Sequence, residues 1–132
     1  MKKLTLIVVS LLVTLFSYSQ KDRIVKVTSF TYKNDKWVLT ETQIPPANQY
    51  VILDGWDVTI GKYKFRTYGD YDKNVYDDHT TYTWNAISQD SADCYFMMKI
   101  FKPEVTTHTI FSIVYPPPTD HYYPIMHEFE CE

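Results

Sequence analysis

Glycine is scarce in this chain, three residues in 132, and beyond residue 19 no long stretch repeats its apolar residues at helical spacing. That argues against a helical fold and leaves strands as the means of burying a core. Lysine and arginine form no run after Lys2 and Lys3. Setting those two aside leaves 11 basic against 16 acidic residues, a formal charge of −5, which sets nucleic acid aside as a partner. No H-x-x-x-H or C-x-x-C spacing supports zinc, and no G-x-S-x-G elbow supports a serine nucleophile. The sequence therefore reads as non-enzymatic, without a cofactor, an internal repeat or a second domain.

What is present begins with a leader. MKKLTLIVVSLLVTLFSYSQ places Lys2 and Lys3 ahead of an apolar run from Leu4 to Phe16, followed by Ser17 and Ser19. This order is that of a signal peptide over residues 1–19, and the run is too short to span a bilayer comfortably. Cleavage after Ser19 is expected, giving a secreted or periplasmic protein without a stable membrane anchor. No cysteine follows the run to carry a lipid. Residues 20–132 then make up 113 residues (132 less 19), enough for one domain with its own core.

That domain reads as all-β. RIVKVTSFTY (23–32) and KWVLTETQ (36–43) flank a turn at Lys33-Asn34-Asp35 and form a hairpin in which Trp37 is the expected core anchor. After Pro45 and Pro46, YVIL (50–53) and WDVTI (56–60) flank Asp54-Gly55, a strong hairpin signal. Gly61-Lys62 suits either a second tight turn into YKFRTY (63–68) or a bulge in one longer strand. HTTYTWNAIS (79–88), DCYFMMKIF (93–101), HTIFSIVY (108–115) and YYPIMHEFE (122–130) complete the pattern. About eight strands with short connections predict an antiparallel meander closed, or partly closed, as a small barrel. A two-sheet β-sandwich is the alternative, since alternation and turn chemistry look the same in both.

The most chemically suggestive stretch is GDYDKNVYDDH, residues 69–79. Asp70, Asp72 and Asn74 alternate as calcium ligands do. Counted from Asp70, however, the sixth position is Val75 where an EF-hand loop needs glycine, and the twelfth is Thr81 where it needs a bidentate acid. No metal site is assigned, and the stretch is expected to turn a corner. Tyr68, Tyr71 and Tyr76 accompany Asp70, Asp72, Asp77 and Asp78, so the loop offers an acidic, tyrosine-rich surface to a basic protein partner.

Alternation over the last strand places Tyr123, Ile125, His127, Phe129 and Cys131 on one face. His127 thus points into an apolar row, as a hydrogen-bonded core residue or as the polar anchor of a cavity. Cys94 shares a face with Phe96, Met98 and Ile100. In a meander, the strands carrying Cys94 and Cys131 run parallel with one strand between them, which separates the two thiols by on the order of 20 Å, beyond disulfide reach.

The leader, Trp37 on the second strand, the VILDGWDVTIGKYKF hairpins and the long final strands give the chain a layout that resembles the calycin superfamily of lipocalin-like barrels. It is similar also to small secreted bacterial β-proteins of unknown function. The resemblance covers most of residues 20–132 and implies a barrel that holds a small apolar or amphipathic ligand inside. Trp37, Trp84, Phe96, Met98, His127 and Phe129 are the candidate lining residues, and a packed core is the competing role for each.

Overall fold

The computed structural model describes residues 20–115 and 124–132; the expectations that fall on residues 1–19, Tyr122 and Tyr123 lie outside them. The described residues form nine strands: β1 (Gln20–Lys33), β2 (Lys36–Gln43), β3 (Tyr50–Asp54), β4 (Asp57–Ile60), β5 (Tyr63–Val75), β6 (His79–Ser88), β7 (Asp93–Phe101), β8 (Thr109–Tyr115) and β9 (Ile125–Cys131). They make one antiparallel sheet in the order β2-β1-β3-β4-β5-β6-β7-β8-β9, and β1 pairs in addition with β9. Eight strands therefore close a ring, with β2 outside it. Closure removes the exposed edges that an open sheet carries and decides for a barrel over a sandwich.

The length of β1 explains the extra strand. One edge of β1 pairs with β9 from Ile24 to Thr31. The other edge is shared, by β3 over Gln20–Arg23 and by β2 over Val27–Lys33. β2 and β3 thus occupy a single lane beside β1, interrupted by residues 44–49. Pro45 and Pro46 sit in that interruption, where the missing N–H of proline prevents a continuous ladder. Gln49 C=O rejoins the lane by accepting from the Ile24 N–H at 2.9 Å.

Turn chemistry follows the backbone. Asn34 and Asp35 take φ of 51° and 62°, the left-handed pair that a two-residue type I′ hairpin turn requires. In the next hairpin Asp54 pairs with Asp57, so the turn residues are Gly55 and Trp56, one position later than expected from Asp54-Gly55. Gly61-Lys62 is a turn and not a bulge, since Ile60 pairs with Tyr63. Gly61 has φ of 59°, a left-handed conformation that favours glycine; a Cβ there would lie 2.6 Å from Gln49 Oε1, the flexible end of a side chain that could swing aside.

Two expectations need correction, and a bulge is responsible each time. Residues 69–79 do not all form a turn: β5 runs on to Val75, and only residues 76–78 connect it to β6, closed by the Tyr76 N–H donating to His79 C=O at 2.8 Å. The strand gets past Gly69 through an irregularity between Tyr68 and Asp72, with Gly69 at φ 72°. Trp37 is not a core anchor. The β1–β2 register shifts at Ser29/Phe30, where Thr40 has no Cα partner, and this reverses the side to which β2 residues point. Glu41 faces Ser29, but Trp37 faces Tyr32 and packs edge-on against it at 5.2 Å, with 37% of its surface exposed.

The core follows alternation on the ring strands. Ile24, Val51, Leu53, Val58, Trp84, Phe96, Met98, Phe111 and Cys131 are all buried. Trp84, Phe96 and Phe111 form a continuous ring column, with centroids 5.6 Å and then 5.9 Å apart. Cys94 and Cys131 are buried free thiols. The registers set Cys131 opposite Thr109 and Thr109 opposite Ile100, six positions along β7 from Cys94, a separation of about 20 Å at strand rise.

Candidate functional site

Because neighbouring strands alternate in direction, the β1–β2, β4–β5 and β6–β7 turns gather at one end of the barrel, with the last residue of β8 and the first of β9. At this end the interior is not filled. A hollow of about 390 Å³ is bounded by apolar side chains from five strands of the ring, Val27, Ile60, Phe65, Ile113 and Phe129. Its polar boundary is Ser29, Glu41, Gln43, Tyr63, Tyr115 and His127. A second hollow of about 680 Å³ shares Val27, Gln43, Ile60, Tyr63 and Phe129 with the first and opens between residues 44–49 and the Gly61-Lys62 turn. The two are lobes of one depression. Its side opening is the gap in the wall where prolines interrupt the β2–β3 lane, and each lobe falls within the volume range of small-molecule sites.

The inward rows explain the lining. Val27 and Ser29 are paired with Phe129 and His127 across β1–β9, and Phe111 and Ile113 continue those rows on β8. Where Phe96 and Phe111 stack, the row is full. The row that carries Phe96 and Ile113 on β7 and β8 offers only an imidazole and Ser29 on β9 and β1, and there the volume falls short. His127 Nδ1 lies 2.8 Å from Ser29 Oγ, which satisfies one ring nitrogen. Burial holds the imidazole below its usual range, opposed weakly by the Glu41 carboxylate. Burial also pushes the Tyr115 hydroxyl up to about 12, aided by the nearby acidic groups of Cys94, Asp90 and Tyr63. At neutral pH both rings are therefore uncharged, and Glu41 is the one formally charged side chain lining the inner lobe.

Of the six candidate lining residues, His127 and Phe129 bound the hollow. Trp84, Phe96 and Met98 point inward as expected but are packed in the core at 2%, 2% and 3% exposure, and Trp37 lies outside the ring. The residues that complete the site, Val27, Ser29, Glu41, Tyr63 and Tyr115, were not anticipated. A small inward residue opposite His127 and a Pro-Pro pair within a strand lane were the signals available.

The acidic stretch lies on β5 and at the opposite end. Asp70, Asp72, Asp77 and Asp78 are all exposed, as are Tyr68 and Tyr76. Tyr71 instead turns back from the bulge onto Tyr82 and Trp84, at 5.6 Å and 5.5 Å. Asp78 accepts from His79 Nδ1 at 2.6 Å, and that bond holds its carboxyl below the usual range. His79 in turn stacks on Tyr76 at 4.6 Å. Among the described residues no group of three or more His, Cys, Asp or Glu side chains could hold a metal ion.

Compared with protein-family models, with curated proteins and with solved structures, the chain has no significant match. The class that can be stated is the one the strands define, a closed antiparallel eight-stranded barrel with one additional strand.

Proposed function

We propose that this is an exported, non-enzymatic binding barrel of calycin-like layout that takes a small amphipathic molecule into the two-lobed hollow at its open end. The observation that carries the reading is the hollow itself: an inner lobe of about 390 Å³ with an apolar wall and convergent polar groups, reached through a break in the barrel wall. The leader at residues 1–19 supports export. Ser29 and His127 are close enough to act as nucleophile and base, but among the described residues nothing orients the far ring nitrogen of His127, and this favours binding over catalysis. The test is titration with the neutral fluorophore N-phenyl-1-naphthylamine, whose emission rises in apolar surroundings. Wild type is expected to enhance it saturably, and Val27→Trp, which fills the inner lobe, is expected to abolish the enhancement. No enhancement by wild type, or full enhancement by Val27→Trp, contradicts the reading.

A second reading rests on the other end of the barrel, where four exposed carboxylates stand with exposed Tyr68 and Tyr76. Such a surface suits a basic protein partner, whose association would slow with salt. The double variant Asp77→Asn, Asp78→Asn is expected to lower the association rate of an oligolysine probe; an unaltered rate removes this reading.

A further inference from the structure

We infer that the molecule held in the hollow is an amphipathic cation, an organic ammonium whose head sits at Glu41 and the tyrosine rings and whose apolar body lies along Val27, Ile60 and Phe129. This rests on the reading of the hollow as a binding site and adds the charge of its occupant.

The argument is one of unbalanced charge. Glu41 projects to the inner face of β2 because the bulge at Thr40 sets it opposite Ser29. Its carboxylate accepts from the neutral amide of Gln43, Nε2 to Oε1 at 2.5 Å, and among the described residues no cation is paired with it. The side chains around it in the inner lobe are Ser29, Tyr63, Tyr115 and His127, hydrogen-bonding groups that carry no positive charge in their neutral forms. An anionic head placed there meets a like charge; an ammonium head meets the missing partner.

The aromatic lining points the same way. Tyr63 bounds both lobes, and its ring already receives a cation: Lys62 Nζ lies 5.4 Å from its centroid. Tyr115 and Phe65 stand next to one another, 6.5 Å between centroids, on the far side of the inner lobe. An ammonium between a carboxylate and tyrosine faces is a recognised mode of cation capture, and its attraction grows where water is excluded. Lys62 is the one opposing feature, since an anionic head in the outer lobe would find it; the probes below separate the two orientations.

The experiment is displacement of N-phenyl-1-naphthylamine by three probes with one tail and different heads, decyltrimethylammonium, decyl sulfate and neutral decanol, each below its aggregation concentration. Wild type is expected to favour the ammonium over the sulfate by about tenfold, a ratio that falls at least threefold in Glu41→Gln and shrinks with added salt. Circular dichroism of Glu41→Gln checks that the barrel is intact, which its exposed position on β2 leads one to expect. Equal displacement by all three heads overturns the cation inference and leaves the binding site standing. Preference for the sulfate, lost in Lys62→Gln, overturns it in favour of an anionic head in the outer lobe. Failure of the fluorophore to bind wild type at all removes both the inference and the reading beneath it.

Discussion

The two ends of this barrel are made from the same inward-facing rows and differ in what fills them. Toward the packed end the rows carry Trp84, Phe96, Met98 and Phe111, and Tyr71 folds back from a bulge to cover Trp84. Toward the open end the same rows carry Val27, Ser29 and His127, and the lane that should complete the wall is broken at residues 44–49. The contrast is one of packing within one sheet, and Ile60, Phe65 and Ile113 belong to both parts, buried in the core while they border the hollow. A filled interior gains dispersion contacts on every side, whereas a side chain that borders a hollow lacks them on that side.

Substitutions that empty each end sharpen the contrast, and the largest effect belongs to the packed end. Phe111→Ala removes a ring with 0% exposure and is expected to cost about 3–5 kcal/mol in urea unfolding. Phe129→Ala, which borders a space already present, is expected to cost about 1–2 kcal/mol while weakening probe binding. If the two variants lose equal stability, the open end is part of the core and the distinction fails.

Filling the open end works in the opposite sense. Val27→Trp is expected to abolish fluorophore binding with a Tm within about 4 °C of wild type. A large loss of stability would mean that the hollow collapses around Val27 in solution.

Titration probes the burial at both ends. His127 is held neutral at the open end, facing Ser29 on β1, Glu41 on β2, Tyr63 on β5 and Tyr115 on β8. Its folded pKa lies below the unfolded value of 6.5, so the unfolded chain binds the extra proton first. Stability is then complete above that value and declines as pH falls below it, a decline that His127→Gln is expected to flatten in a Tm series from pH 7.5 to 5. Burial likewise pushes Cys94, beside the β6–β7 turn, up to about 11 and Cys131, at the packed end, up to about 12, from 9.0. The unfolded chain gives up those protons first, so stability is expected to fall between pH 9 and about 11. Both thiols should resist alkylation in the folded protein.

The smallest effect is expected outside the ring. Trp37→Ala removes one edge contact with Tyr32 at an exposed position and should cost under about 1 kcal/mol.

Much of this was legible in the chain. The bounds of β6 and β7, residues 79–88 and 93–101, are those that alternation and turn residues indicate, because their rows alternate without interruption between clear turns. Both misplacements came from bulges, which leave no mark in a period of two until a partner strand is known. The one at Thr40 sent Trp37 outward and Glu41 inward, and the one at Tyr68–Asp72 carried β5 through residues that read as a turn. The hollow was harder to foresee because it is an absence of volume. It depends on which strands face one another across the ring, and Val27, Tyr63 and Tyr115 come from three distant parts of the chain.

The central claim, that the open end and not the packed end receives a ligand, is tested most directly by methyl NMR during titration with N-phenyl-1-naphthylamine. The expected result is saturable shifts at Val27, Ile60 and Ile113, with Val51, Leu53 and Val58 unmoved. Shifts that appear in the packed methyls, or on neither set while the probe binds, would contradict it.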